Sequence, residues 1–325
     1  YLSRRQGTNG AAHSEKKTAK EMNTPAPIAL FAYNRPFHTR MCVESLLKNP
    51  QASHTDLFVF CDGWKDSRDR EKVGETRRFA KGISGFKSVT VREASENRGL
   101  ANSVIAGVTD VVNRYGRVIV VEDDLVFSPC FLKFMNTALD IFQDDERVGN
   151  VHGHLFKMRG LPDTFLISHA DSWGWATWKR AWDKFEPSGE KLLRTLREKN
   201  LTKTFDFEGY PFTRMLERQI AGLNNSWAIR WKASLLANGM LAANAGKSLV
   251  ANNGFDETGT NCGGGELIPT ELYEGEVECF RPAVIEECPL ARLKFERMYR
   301  RYNSKPHKAW VMGMYHINKL KKIFQ

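Results

Sequence analysis

Four short apolar runs alternate with helix-like segments in the first half of the chain, and this alternation constrains the fold more than any other feature. The runs are PIALFAY, DLFVFC, SVTVRE and RVIVV, at residues 27–33, 56–61, 88–93 and 117–121. The helix-like segments between them cover residues 38–47, 68–83 and 100–115. Strands that alternate with helices in this way build a parallel sheet with helices on both faces. The pattern therefore predicts an α/β fold around a mostly parallel central sheet.

Polar side chains follow each of these strands at the point where the strand ends. They are Asn34 and Arg35, Asp62, Asn97 and Arg98, and the triplet Glu122, Asp123 and Asp124. In open α/β sheets, ligands bind in the crevice outside the carboxyl ends of the strands. Four polar strand ends in succession therefore predict a binding site along this edge of the sheet.

The triplet Glu122–Asp124 is the most unusual of these strand ends, because it follows four apolar residues directly. Three adjacent carboxylates repel one another, and each is costly to bury without a partner. One interpretation is a solvated loop start that caps the following helix-like stretch, 129–142. The other is a cation site, because hard oxygen ligands suit Mg²⁺ or Mn²⁺ carrying a diphosphate. The apolar residues on both sides of the triplet favour the cation site.

The net charge of +10 lies at the two ends of the chain. Residues 291–325 carry ten Lys or Arg against Glu296 alone, and residues 1–24 carry five against two acidic residues, so the body between them is close to neutral. A nucleic-acid groove through the body is therefore disfavoured. The stretch 1–24 is polar and without hydrophobic period, and we expect it to be a flexible end.

The six cysteines are scattered, without a CxxC pair or a Cys/His cluster at zinc spacing. We therefore expect a reducing, cytoplasmic compartment. No apolar run is long enough to span a membrane, and residues 1–24 lack the apolar segment of a signal peptide. The expected location is the cytoplasm, with the inner face of the cell membrane as a place of peripheral contact.

Several of these segments, in this order, resemble the nucleotide-sugar-dependent glycosyltransferases of the GT-A fold. They are PIALFAYNRP, FVFCDG, NRGLA and VIVVEDDLVFSPCFLKFM, followed by DSWGWATWKRAW, SWAIRW and SLVANNGFDETGT. The likeness covers roughly residues 26–262 and is greatest for bacterial family-2-like enzymes of surface polysaccharide synthesis and for N-acetylglucosaminyltransferase I of animals. A lone acidic motif would be weak, but the ordered series is specific.

The resemblance implies a role for individual residues. Asp124 would bind the divalent metal, Mn²⁺ or Mg²⁺, that bridges the diphosphate of a UDP-sugar donor. Asp123 would hold the ribose and Glu122 the donor sugar. The rest of the nucleotide site would comprise Asp62, which would read the uracil, with Ala32, Asn34, Arg35, Asn97 and Arg98. Trp173, Gly174 and Trp175 would form the floor where donor sugar and acceptor meet.

One position departs from the family pattern. In the relatives, the general base is an aspartate just before or within SWAIRW, whereas this chain has Asn224 and Asn225 there. An amide cannot act as a base. Another carboxylate could serve, with Asp171, Glu217 and Asp256 as candidates; alternatively, Asn225 is an engineered inactivating change, or the protein binds a nucleotide sugar without turnover. We favour an active enzyme with a differently placed base.

The last stretch of the chain and the tryptophans are each open to two interpretations. Trp175, Trp178 and Trp182 have helical spacing, which favours a helix packed on the sheet, whereas Trp173 before Gly174 is suited to stack on a sugar ring. Apolar residues also recur at helical spacing within the basic segment 291–325. It is either a docked helix or an amphipathic helix on an anionic membrane, which would suit a lipid-linked glycan acceptor.

These observations predict a flexible segment 1–24, a GT-A domain over 25–290 and a basic amphipathic extension over 291–325. Within the domain, residues 25–150 would bind the nucleotide and residues 151–290 the acceptor. The predicted function is a metal-dependent, inverting glycosyltransferase that moves a sugar from a UDP-sugar to a glycan acceptor, with no nucleic-acid partner. Two alternatives remain, a nucleotidyltransferase and a catalytically silent nucleotide-sugar-binding protein. The first is disfavoured because AYNRPFHTR has no glycine-rich phosphate loop.

Overall fold

The computed structural model describes residues 24–254, 270–304 and 306. The strands in these residues are β1 (Ile28–Ala32), β2 (Asp56–Cys61), β3 (Ser88–Glu93), β4 (Arg117–Glu122), β5 (Leu125–Phe127), β6 (Val148–His152), β7 (Thr164–Ile167), β8 (Trp175–Trp178), β9 (Leu241–Ala245) and β10 (Val250–Asn252). The helices are α1 (Pro36–Leu47), α2 (Arg70–Lys81), α3 (Leu100–Tyr115), α4 (Phe131–Ile141), α5 (Lys179–Trp182), α6 (Gly189–Glu198), α7 (Thr202–Phe205), α8 (Phe212–Ile220), α9 (Trp227–Ala237) and α10 (Pro289–Tyr302).

The main sheet has the strand order β3-β2-β1-β4-β8-β6-β9-β7. Neighbours from β3 to β4 are parallel, and β6 and β9 are also parallel to each other. Strands β8 and β7 run antiparallel to their neighbours. The fold is therefore an α/β fold with a mostly parallel central sheet, as the sequence predicted. The predicted halves of the domain, 25–150 and 151–290, meet along β4 and β8 within this one sheet.

Strand β4 shows why the sheet is buried on both faces. Ile119 and Val121 belong to a hydrophobic core with α1 and α4 on one face, while Val118 and Val120 belong to a second core with α3 and α9 on the other. All four side chains are fully or almost fully buried. Each such burial contributes about 1.5–3 kcal/mol relative to exposure. This burial fixes the end of β4, and with it the position of the acidic triplet.

Of the three tryptophans with helical spacing, Trp175 and Trp178 lie on a strand, so the helical interpretation is wrong for these two. Trp175 and Trp178 are three residues apart on β8 and therefore point to opposite faces of the sheet. Trp178 enters the first core and Trp175 the second. Of these three tryptophans, only Trp182, at the end of α5, lies on a helix.

A third hydrophobic core joins α6, α8, α9 and α10 beside the sheet. Phe295 and Tyr299 of α10 lie in this core and are each 3% exposed. The apolar face of α10 is therefore covered by the body of the protein. Residues 307–325, the remainder of the basic segment 291–325, lie outside the described residues. None of the helices in the described part of the chain is long and apolar enough to cross a membrane.

Candidate active site

The acidic triplet lies at the carboxyl end of β4, beside the end of β1. The backbone N–H of Asp123 donates to the carbonyl of Phe31 at 3.1 Å, which continues the strand pairing by one residue. In return, the Tyr33 N–H donates to Asp123 Oδ2 at 3.2 Å. The turn at Asp123 and Asp124 then leads into β5. The three carboxylates are therefore presented at the edge of the sheet where ligands bind.

Asp124 forms an ion pair with Arg35, but only through one of its oxygens. Arg35 Nη1 donates to Asp124 Oδ2 at 3.1 Å, and the two side chains are 9% and 15% exposed. The other oxygen, Oδ1, is buried and has no hydrogen-bond partner. Buried carboxylate oxygens are normally satisfied, so an unpartnered one marks a place for a ligand. This oxygen is the best-supported metal-binding atom of the triplet.

The segment after β10 closes over Asp124. Strands β5 and β10 pair antiparallel, and the Asn253 N–H donates to the carbonyl of Asp124 at 2.8 Å. The carbonyl of Gly254 accepts from Arg35 Nη2 at 3.4 Å. A Cβ on Gly254 would lie 2.3 Å from Asp124 Oδ2, so only glycine fits there. Gly254 thus allows the chain to pass directly over the Asp124 carboxylate.

The pKa shifts of the three carboxylates indicate that Arg35 neutralises only part of their negative charge. Burial and the charges of Asp124 and Asp123 raise the pKa of Glu122 well above its usual value. Burial and Asp124 raise the pKa of Asp123 to about 7, against the opposing effects of the Tyr33 N–H and Arg35. Burial also raises the pKa of Asp124, although Arg35 counteracts it. A divalent cation would reverse these shifts by favouring the charged carboxylates.

The residues predicted to hold the nucleotide lie at the ends of β1, β2 and β3. Asp62 accepts hydrogen bonds from the backbone N–H groups of Gly63, Arg98 and Gly99, each at 2.9 Å. Asn97 Nδ2 donates to the carbonyl of Gly63 at 2.8 Å. Asp62 therefore holds the turn that begins α3. Its role in reading uracil stays a prediction.

Three further residues of this group have the following positions. Ala32, at the end of β1, is buried, and its carbonyl accepts from the Asp62 N–H at 3.0 Å. Asn34 Nδ2 donates to Asp69 Oδ1 at 2.9 Å. The side chain of Arg98 is exposed. All three lie at strand ends or in the adjoining turns along the same edge of the sheet.

Asp171 is the candidate base that the structure places beside the triplet. Its charge contributes to the raised pKa of Glu122, so the two carboxylates are close enough to interact. His154 Nδ1 donates to Asp171 Oδ2 at 3.1 Å, and His154 Nε2 lies 3.0 Å from Thr270 Oγ1. Because a carboxylate can only accept, Nδ1 carries the proton and Nε2 accepts from the threonine hydroxyl. This chain of hydrogen bonds fixes the orientation of Asp171.

The same contacts keep Asp171 ionised. Burial alone would raise the pKa of Asp171, but the hydrogen bond from His154 holds that pKa well below its usual range. The Ser172 N–H donates to Asp171 Oδ1 at 2.7 Å. Asp171 is therefore a charged, oriented acceptor of hydrogen bonds near the donor carboxylates.

Of the predicted aromatic floor, Trp173 and Gly174 are adjacent to this network. Trp173 packs edge-on against the His154 ring, with 4.6 Å between ring centroids, and is partly exposed. Gly174 has φ of +65°, and a Cβ there would lie 2.7 Å from Val250. Trp175 cannot belong to the floor, because it is 0% exposed and stacks on Trp227. Alternation along β8 sends its side chain into the core, which corrects that part of the prediction.

The other three predicted catalytic positions lie apart from this network or outside the described residues. Asn225 Oδ1 accepts from Arg230 Nη2 at 3.3 Å, just before Ser226, whose side chain caps α9. Glu217 forms a 2.9 Å ion pair with Arg197 on the exposed surface of α6 and α8. Because Glu217 is paired with Arg197 on this surface, apart from the network around Asp171, the prediction that Glu217 is a candidate base is corrected. Asp256 lies outside the described residues.

The structure adds two residues that the sequence did not single out, His154 and Gly254. Both follow strands that end at the site, in HGHLF after β6 and in NNG after β10. Among the described residues, no group of three or more His, Cys, Asp or Glu is arranged to hold a metal ion.

Comparison with solved structures gives remote likenesses. S. aureus TarS 1–349 is 12% identical, with 70% of this chain and 60% of that chain covered and a TM-score of 0.41. The mannosyltransferase PcManGT from Pyrobaculum calidifontis, solved with GDP-Man and Mn²⁺, is 14% identical, with 68% and 78% covered and a TM-score of 0.35. TarS 1–349 with UDP-GlcNAc is 13% identical, with 54% and 48% covered and a TM-score of 0.32. The chain thus spans about three fifths of the first of these structures.

The sequence match to a family model is more extensive. No curated protein sequence matches the chain significantly. The model described as the GNT-I family matches residues 2–188, which is more than half of the chain and includes β1 to β8, the acidic triplet and Asp171. This match confirms the relationship to N-acetylglucosaminyltransferase I that the sequence predicted. The chain therefore belongs to the GNT-I family of glycosyltransferases.

Proposed function

We propose that this protein transfers a sugar from a UDP-sugar to a glycan acceptor, with a divalent metal and with inversion at the anomeric carbon. The acceptor would be a free or lipid-linked glycan of bacterial surface polysaccharide synthesis. The observation that carries the proposal is the acidic triplet at the end of β4, with the buried, unpartnered Oδ1 of Asp124 beside Arg35. Membership of the GNT-I family favours sugar transfer over nucleotidyl transfer.

The residues present fit a divalent metal, Mn²⁺ or Mg²⁺. Asp124 would hold the ion, which would neutralise the charge that develops on the leaving diphosphate. Arg35 lies against the same carboxylate, where its positive charge would stabilise a phosphate oxygen. Asp123 would hold the ribose and Glu122 the donor sugar. Asp62, Asn97 and Arg98 would surround the uracil.

We assign the base to Asp171, since it is ionised, oriented by His154 and close to Glu122. As the acceptor oxygen bonds to the anomeric carbon, the bond from that carbon to the diphosphate breaks, and the hydroxyl proton passes to Asp171. The lowered pKa makes Asp171 a weak base. It would therefore take the proton late, when the attacking hydroxyl has become acidic. Trp173, beside it, would stack on the sugar.

The test is the release of UDP from a panel of UDP-sugars with Mn²⁺, measured with and without glycan acceptors. We expect turnover that Asp124→Ala abolishes. Asp171→Asn should lower acceptor-dependent turnover far more than it lowers UDP affinity. Equal loss of UDP binding and turnover in Asp171→Asn would contradict its role as base.

A second candidate function is binding of a nucleotide sugar without turnover, and one observation favours it. Asn225 occupies the position of the family's aspartate and is held by Arg230 beside the N-terminus of α9. Asn225→Asp would restore a carboxylate there. If the wild type binds UDP tightly without turnover and Asn225→Asp gains turnover, the silent binder is correct. Turnover by the wild type supports the enzyme.

We also propose that the basic end of the chain contacts an anionic membrane from the cytoplasmic side. Leu290 and Leu293 of α10 are 44% and 42% exposed beside the basic residues of the segment 291–325. Because Phe295 and Tyr299 are buried, removal of all of α10 would disturb the fold. Truncation after Ser304 combined with Leu290→Ser and Leu293→Ser is the suitable test. Unchanged partitioning onto anionic liposomes would contradict the proposal.

A further inference from the structure

A polar cavity lies between α7 and the end of α10. Its volume is about 390 Å³, within the usual range of ligand pockets. The residues that line it include Lys203, Asp206, Glu208, Tyr210 and Asn303. We call it the 203–210 cavity. None of these residues belongs to the donor site described above.

The loop that forms the cavity is held in a costly conformation. Phe207 and Glu208 have positive φ angles, 45° and 54°, and such angles are strained for residues other than glycine. Phe207 is fully buried in the third core, and this packing anchors the loop. Asp206 fixes it from within, because its carbonyl accepts from the Tyr210 N–H and its Oδ1 from the Thr213 N–H. The strain leaves Glu208 exposed and Tyr210 partly exposed at the cavity.

Aromatic side chains connect the cavity to Asp171. The distance between ring centroids is 4.7 Å from His154 to Phe156 and 6.3 Å from Phe156 to Tyr299. It is 4.7 Å from Tyr299 to Tyr210. Phe156 and Tyr210 are partly exposed, while Tyr299 is buried between them. Burial and the Asp171 carboxylate also raise the pKa of Tyr210, so Tyr210 and Asp171 are within electrostatic reach. Phe156 and Tyr210 are therefore two partly exposed rings joined through the buried Tyr299, and an acceptor placed at Asp171 could contact Phe156 first and Tyr210 beyond it.

The chemistry of the cavity fits an uncharged glycan. Carboxylates and an amide can bind sugar hydroxyls, and an aromatic ring can cover the apolar face of a pyranose. Lys203, together with Arg300 packed against Gly209, is opposed by Asp206 and Glu208, so the cavity offers no excess of positive charge to a polyanion. A glycan rich in phosphate or uronic acid would be disfavoured there.

We propose that the 203–210 cavity binds the acceptor glycan of this protein, at sugar units beyond the one that reacts. The acceptor is an uncharged oligosaccharide that extends from Asp171 over Trp173 and Phe156 to Tyr210. This inference rests on the proposed function, because it assigns the acceptor of the same site. It also makes the loop 206–210 a determinant of acceptor specificity.

Ligand-observed NMR on the full chain tests the cavity with named probes. The probes are maltotriose, cellotriose and triacetylchitotriose, with a hyaluronan tetrasaccharide as the charged comparison. We expect at least one neutral trisaccharide to bind and the hyaluronan fragment not to bind. Lys203→Trp, which fills the cavity from an exposed position on α7, should weaken that binding by about tenfold or more. Glu198→Trp, an exposed change on α6 outside the cavity, is the matched control and should leave it unchanged.

A second variant removes the proposed stacking surface. Tyr210→Ala should also weaken trisaccharide binding by about tenfold, in a chain whose circular dichroism shows it to be folded. Affinity for UDP with Mn²⁺ should be the same in all three variants. UDP binding without binding of any neutral trisaccharide would overturn the inference, as would trisaccharide binding that survives Lys203→Trp. Absence of UDP binding would instead overturn the proposed function, so the two failures are distinguishable.

Discussion

Two clusters of buried ionisable groups lie at strand ends of the same sheet, and they differ in whether their polar atoms are satisfied. The carboxylate cluster, Glu122–Asp124, contains like charges and a buried oxygen without a partner. The lysine network, formed by His169, Lys232 and Tyr299, is closed: Lys232 Nζ lies 2.6 Å from His169 Nδ1, and Tyr299 Oη lies 2.8 Å from His169 Nε2. A cluster with an unpartnered buried polar atom indicates a place for a ligand, whereas a cluster whose polar atoms are all hydrogen-bonded holds structural elements together.

The lysine network joins three elements of the acceptor side. His169 follows β7, Lys232 belongs to α9 and Tyr299 to α10. Burial lowers the pKa of Lys232 well below its usual value, and burial together with Lys232 does the same for His169. A neutral His169 that accepts from Lys232 at Nδ1 donates to Tyr299 through Nε2. The network therefore secures α10 without charge, and its loss should cost stability and not donor binding.

The largest expected effect concerns the docking of α10. Phe295→Ala should lower the free energy of unfolding by about 3–5 kcal/mol, because it leaves a cavity in the third core. Affinity for UDP with Mn²⁺ should not change. Denaturant unfolding measures the first and calorimetry the second. Leu293→Ala, at an exposed position on the same helix, should cost less than about 0.5 kcal/mol. Equal effects of the two changes would show that α10 is not docked as described.

The carboxylate cluster should behave in the opposite way. Asp124→Asn should weaken UDP binding in Mn²⁺ by about 100-fold, since the ion loses a charged ligand. Stability should stay the same or increase, because the change removes repulsion among three acidic groups. Calorimetry and thermal unfolding of one preparation give both numbers. Asp66→Asn, an exposed carboxylate paired with Arg68, should alter neither. A marked loss of stability in Asp124→Asn would show that Asp124 stabilises the fold and is not reserved for a ligand.

A smaller loss is expected when the lysine network is opened at one atom. Tyr299→Phe removes the oxygen that accepts from His169 and leaves a buried N–H unpaired, which should cost about 1–3 kcal/mol. Tyr115→Phe, at a 44% exposed position, is the control and should be close to neutral. Chemical denaturation of the three proteins decides the comparison. A neutral effect of Tyr299→Phe would mean that the network does not secure α10.

The most gradual effect is a dependence of stability on pH, which accumulates over several pH units. Since folding lowers the pKa of Lys232, the unfolded chain binds more protons between the folded pKa and the ordinary lysine value of about 10.4. Stability contributed by this residue should therefore increase with pH up to that value, by at most about 1.4 kcal/mol per pH unit. The free energy of unfolding of the wild type relative to Lys232→Met should rise between about pH 7 and 10. A difference independent of pH would contradict the lowered pKa.

Local pattern was sufficient for most of the first half of the fold. The predicted bounds of β2, β3 and α3 agree with the structure, because strand and helix periods there are unambiguous and the strands end in polar turns. The spacing of Trp175 and Trp178 was compatible with a helix, and only pairing with β4 and β6 makes this segment a strand.

The site was predictable only where its residues follow one another along the chain. The triplet is visible as a motif, but its closure by Gly254 depends on the pairing of β5 with β10, which are more than a hundred residues apart. The orientation of Asp171 likewise depends on His154 and Thr270, which come from separate segments. Glu217 resembled a base in sequence, but its helix places it against Arg197.

Calorimetric titration of the wild-type chain with UDP, in Mn²⁺ and in EDTA, tests the central claim most directly. The claim is that the carboxylate cluster is completed by a metal and a diphosphate. We predict binding in Mn²⁺ that weakens by about tenfold or more in EDTA. Equal affinity in the two solutions, or no binding of UDP in Mn²⁺, would contradict it.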